Sequence, residues 1–80
     1  MVKVLYHDNI EPQEFEKKFD TTDKACEWIA ITMQDLWDTL FERYPMDDIV
    51  WLNRYLDVGD TTEIYVVDSN IEVVCTLIEY

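Results

Sequence analysis

Histidine occurs once in this 80-residue chain, at His7, and glycine once, at Gly59. A single glycine excludes a phosphate-cradling loop of the Walker or dinucleotide type, since both need several glycines for close backbone approach. A single histidine beside only Cys26 and Cys75 leaves no pair with zinc spacing. No serine or cysteine stands in a motif that marks an activated nucleophile. Two cysteines within apolar patterns read as small hydrophobes rather than a disulfide framework, which predicts a reducing, cytoplasmic location. No apolar run approaches a membrane span, and Met1–Asp8 does not read as a secretory leader. Only two prolines interrupt the chain, and no repeat or low-complexity tract appears.

Positive charge is the other scarcity. Six bases face 18 acids, for a net charge of −12. The imbalance is lopsided. Residues 1–25 hold six acids and four bases, net −2; residues 26–80 hold twelve acids against Arg43 and Arg54, net −10. Such a chain is repelled by nucleic acid and by anionic lipid, so neither is expected as a direct partner. It is attracted to basic surfaces, many of which are nucleic-acid-binding sites.

What is present is enough for one folded domain spanning residues 1–80. Apolar residues make up 49%, with three Trp, five Tyr and three Phe, so disorder is not expected despite the charge. Val2–Tyr6 alternates as a first strand. Residues 12–19 are ambiguous: Phe15 and Phe19 are spaced for a short helix behind Pro12, while Phe15, Lys17 and Phe19 also alternate as in a strand. The helix is the preferred reading. Asp23–Tyr44 has neither Gly nor Pro, is preceded by the cap candidates Asp20 to Asp23, and is stopped by Pro45; it predicts the main helix. Its apolar arc is broad, running from Ala25, Cys26 and Ile29 through Met33, Leu36, Trp37 and Leu40 to Phe41 and Tyr44. A short second helix is expected after Asp47-Asp48, with Ile49, Leu52 and Leu56 at helical spacing and Trp51 and Tyr55 beside them; a strand at Ile49–Leu52 is the alternative. Thr62–Val67 and Ile71–Tyr80 read as a hairpin around Asp68-Ser69-Asn70. The expected fold is α+β: an antiparallel sheet of about three strands against one long and one short helix. Both faces of the last strand are apolar. Either the two helices cover opposite faces or a second chain covers one, and a homodimer is the favoured reading.

Carboxylates are the one chemical group in excess. Asp57, Asp60 and Glu63 lack the alternate spacing of a calcium loop and read as turn and solvated acids. No metal, cofactor or catalytic residue is assigned, and the chain reads as a binding protein rather than an enzyme. On the main helix Glu27, Asp35, Asp38 and Glu42 share one face, and Asp47 and Asp48 extend it. Neighbours three or four apart on a helix repel when alike in charge, and Cys26–Phe41 contains no base to offset them. Acidic solvent faces are common and often bind nothing. Trp28 and Ile31 interrupt this one, however, and apolar anchors amid charge are how interfaces concentrate energy and steer encounter. Glu27, Asp35, Asp38, Glu42, Asp47 and Asp48 are therefore the candidate partner-binding residues, with Trp28 and Ile31 as apolar contacts.

In size, charge, aromatic content and β–α–β–β order, the chain resembles the small acidic host-takeover proteins of bacteriophages, several of which mimic DNA. Within that type it is most similar to the Bacillus phage inhibitors of the nucleoid protein HU. The resemblance implies a dimer, in the host cytoplasm, that occupies the DNA-binding surface of a basic host protein. It carries over no residue. Two rivals share the same features: an anti-CRISPR-type inhibitor acting on a nuclease groove, and a dimeric interaction subunit whose charge is incidental.

Overall fold

The computed structural model describes residues 1–54 and 56–80. Val2, Val4, Tyr6 and Asp8 are buried along one side of strand β1 (Val2–Asp8), and Lys3 and Leu5 lie half-buried on the other. β1 is flanked on one side by β2 (Gln13–Phe19) and on the other by β5 (Glu72–Glu79). β4 (Thr61–Val66) pairs with β5, and β3 (Ile49–Leu52) closes the far edge. The result is one antiparallel sheet of five strands in the order β2-β1-β5-β4-β3. The hairpin of the last two strands matches the sequence expectation. Its turn places Asp68 at a φ of 58°, and the Ser69 hydroxyl donates to the carbonyl of Val66 at 2.7 Å.

The helix α1 (Thr22–Phe41) is the only α-helix among the described residues. Thr21 caps it, its hydroxyl accepting the N–H of Lys24 at 3.2 Å. Ala25, Ile29, Met33 and Leu40 are buried against the sheet. They meet Val2, Val4 and Tyr6 of β1, Val73, Cys75 and Leu77 of β5, Ile64 and Val66 of β4, and Ile49 of β3 in one core.

Two expectations are corrected. Residues 12–19 are not a helix: Gln13–Phe19 is an edge strand, paired with β1 from Val2↔Phe19 to Asp8↔Gln13. Pairing decides the matter, because Tyr6 stacks on Phe15 directly opposite it, with ring centroids 4.7 Å apart. The second helix is likewise replaced. Met46–Asp48 forms only a 3-10 turn, and Ile49–Leu52 becomes β3, which buries Ile49 against the core. Tyr55, expected on that helix, lies outside the described residues. Among the described residues, five strands and one α-helix therefore stand where about three strands and two helices were expected. The single α-helix covers one face of the sheet, and no second helix among the described residues covers the other. Among the described residues, no helix is long and apolar enough to cross a membrane.

Candidate partner-binding surface

An α-helix advances about 100° per residue, so the side of α1 opposite Ala25, Ile29, Met33 and Leu40 carries Glu27, Ile31, Asp35 and Asp38, with Glu42 at the C-cap. Their spacing of four, four, three and four residues makes one continuous ridge. From Glu27 to Glu42 it spans about 22 Å at about 1.5 Å per residue. All five are exposed, and Ile31 remains 58% exposed in the middle of the row.

The ridge is electrostatically uncompensated. Among the described residues the salt bridges are Lys3 to Glu16 and Lys24 to Asp20, neither of which involves a ridge carboxylate. Lys17 lies over the Trp28 ring, Lys18 over Tyr80, and Arg54 over Trp51 at 4.4 Å and Trp37 at 5.4 Å. Asp38 accepts a hydrogen bond from the Gln34 amide at 3.0 Å, which orients it without neutralising it. The last turn of α1 contains no base, so Asp38 and Glu42 add to the negative end of the helix dipole. Mutual repulsion and the dipole both oppose this arrangement.

The other candidates divide. Asp47 is exposed in the 3-10 turn. Asp48 is half-buried, and its carbonyl accepts the N–H of Val67 at 2.7 Å, so it also ties β3 to the hairpin. Trp28, expected to stand out within the acidic face, is half-buried instead. Its ring meets Tyr6, Phe15 and Phe19 at centroid distances of 6.2, 6.1 and 6.0 Å. Trp28 is thus a packing residue between α1 and the β1–β2 edge. Two apolar residues missed by the helical-wheel reading are exposed beside the acids: Phe41 at 51% and Met46 at 59%. Their signal was position, since the last turn of the helix and the residue after Pro45 fall beyond the reach of the core.

Other acids have local duties. The Asp60 carboxylate accepts the N–H of Asp57 at 2.9 Å and shapes the turn before β4. Asp8 lies at the base of a groove of about 290 Å³ lined also by Ile10, Leu36, Arg43 and Tyr44. It accepts hydrogen bonds from the Tyr6 hydroxyl, the Gln13 amide and the N–H groups of Ile10 and Glu11 at 2.7 to 3.1 Å. Burial pushes the Asp8 pKa up, but these hydrogen bonds outweigh burial and leave it below its ordinary value. Its acceptor capacity is used in holding the β1–β2 turn.

The chain is an α+β protein with one acidic helix laid across one face of a five-stranded antiparallel sheet. No family model, curated protein or solved structure matches it.

Proposed function

We propose that the protein binds the nucleic-acid-binding surface of a basic protein through the outer ridge of α1, and so competes with nucleic acid for that surface. The observation that carries this reading is the ridge itself. Glu27, Asp35, Asp38 and Glu42 lie in one row, with no salt bridge to any of them among the described residues, at a cost in helix stability. Exposed Ile31 within the row and Phe41 beside it supply apolar contact. Asp35, Asp38 and Glu42, three and four residues apart, hold their Cβ atoms about 5–6 Å apart and present charge on the scale of a phosphate backbone. An HU-type nucleoid protein of a bacterial host is the candidate target.

The test is competition. Labelled duplex DNA bound to a purified HU-type protein is titrated with this chain at low and high salt. Displacement at near-stoichiometric ratios, weakened by salt and by Asp35→Asn, Asp38→Asn and Glu42→Gln in graded steps, supports the proposal. Absence of displacement removes HU as the target. If a partner captured from lysate is held equally at high salt and ignores added DNA, mimicry itself is wrong.

A further inference from the structure

Among the described residues, no element covers the face of the sheet opposite α1. Residues paired directly across strands point to the same side, so the register assigns this face to Lys18, Glu16 and Glu14 of β2, Lys3, Leu5 and His7 of β1, Ile78, Thr76, Val74 and Glu72 of β5, Thr61, Glu63 and Tyr65 of β4, and Val50 and Leu52 of β3. Leu5, Val74, Ile78, Tyr65 and Val50 form its apolar part. Each is only half-buried, and Leu52 is 50% exposed.

The charges on this face are ordered along the strands. Lys3 and Lys18 share one end, where their ammonium groups lie 5.4 and 5.5 Å from the ring of Tyr80. Glu16 follows, paired with Lys3 at 3.4 Å, and Glu14, Glu63 and Glu72 lie toward the other end. Two bases and four acids give this face a net charge of −2, against −12 for the chain. It is therefore the broad surface on which two copies of so acidic a protein repel least.

We propose that the open face binds a second copy of the chain, face to face and turned end for end. A two-fold axis lying across the strands brings the lysine end of each copy over the glutamate end of the other. An axis along the strands would instead stack like charge on like, with Glu72 over its own counterpart. Edge-to-edge pairing is the poorer alternative, because β2 carries Lys17 and Lys18 on its length and β3 has only four residues. Five strands about 4.8 Å apart and about seven residues long give a plan area of roughly 450 Å² per copy. Two copies thus cover about 900 Å², close to the ~1,000 Å² that marks a specific interface. This pairing leaves both helix ridges facing outward and does not depend on what they bind.

Sedimentation equilibrium from low micromolar to several hundred micromolar protein tests the proposal. The expected mass rises with concentration from the 9.6 kDa chain toward twice that value. Val74→Lys places a charge at the centre of the face and weakens the dimer by about a hundredfold or more, with the circular dichroism spectrum unchanged. Thr76→Lys serves the same purpose should Val74→Lys lose the fold. Lys3→Glu and Glu72→Lys each weaken association by about fivefold, and the double variant recovers it. A mass of 9.6 kDa at every concentration overturns the proposal, as does a dimer indifferent to both lysine substitutions. Failure of the double charge reversal to recover association overturns the end-for-end orientation.

Discussion

The Tyr6 hydroxyl donates a 2.7 Å hydrogen bond to the carboxylate of Asp8, two residues along the same buried side of β1. Burial, and then this bond, push the Tyr6 pKa up, while Asp8 is held below its ordinary 3.8. A carboxylate with a depressed folded pKa contributes stability that is present above its unfolded pKa. That contribution is lost as the pH falls through the folded value. Asp8→Ala strands the tyrosine hydroxyl and two backbone N–H groups, and should cost about 2–3 kcal/mol at neutral pH. Asp8→Asn should flatten the acid limb of the stability curve. Urea unfolding from neutral pH down past 3.8 reads both effects.

Cys75 is fully buried, and burial pushes its thiol up to about 12. Cys26 is half-buried; burial, then the charges of Asp23 and Asp57, raise its pKa less far. A disulfide reagent at mildly alkaline pH should label Cys26 slowly in the native protein. Cys75 should react only through global unfolding, at a rate that follows denaturant. Equal labelling of the two under native conditions would contradict the packing described.

Trp28 and Ile31 stand three residues apart on α1 with opposite surroundings. Trp28→Ala opens the cluster of Tyr6, Phe15 and Phe19 and should cost about 3 kcal/mol. Ile31→Ala should change stability by no more than about 0.5 kcal/mol, because the side chain is in solvent. It should nevertheless weaken partner binding. Thermal unfolding and a binding titration on the same two variants separate these roles.

Salt should move stability and binding in opposite directions. Screening relieves repulsion along Asp35, Asp38 and Glu42, so the melting temperature should rise with ionic strength. The same screening should weaken attachment to a basic partner. Asp38→Asn should act likewise at low salt, gaining a few tenths of a kcal/mol in stability while losing affinity. Parallel trends in the two measurements would detach the acidic ridge from binding.

The sequence was legible where one pattern dominated. Val2, Val4 and Tyr6 alternate, α1 has a capped start and a proline stop, and the hairpin is rich in β-branched residues. Phe15 and Phe19 misled because an edge strand buries little, so its polar positions do not alternate with a full apolar set. Ile49–Leu52 misled because four apolar residues fit either period, and its partner β4 lies beyond a loop. The acidic ridge was readable from spacing alone. The burial of Trp28 was not: the wheel assigns a residue to solvent by its angle, whereas the β1–β2 edge brings Phe15 and Phe19 to it.

The strands that meet beside the middle of the sheet are the first and last in the chain, with the N–H of Tyr80 bonded to the carbonyl of Met1 at 3.1 Å. At a synthesis rate of roughly 5–20 residues per second, about 4 to 14 s separate the making of β1 from the making of β5. Throughout that interval the inner edge of β1 has no partner, and Val4, Tyr6 and Met33 have no floor. Closure over nearly the whole chain also places the molecule among slow folders for its size. The nascent protein is therefore most open to misassembly before β5 has joined β1.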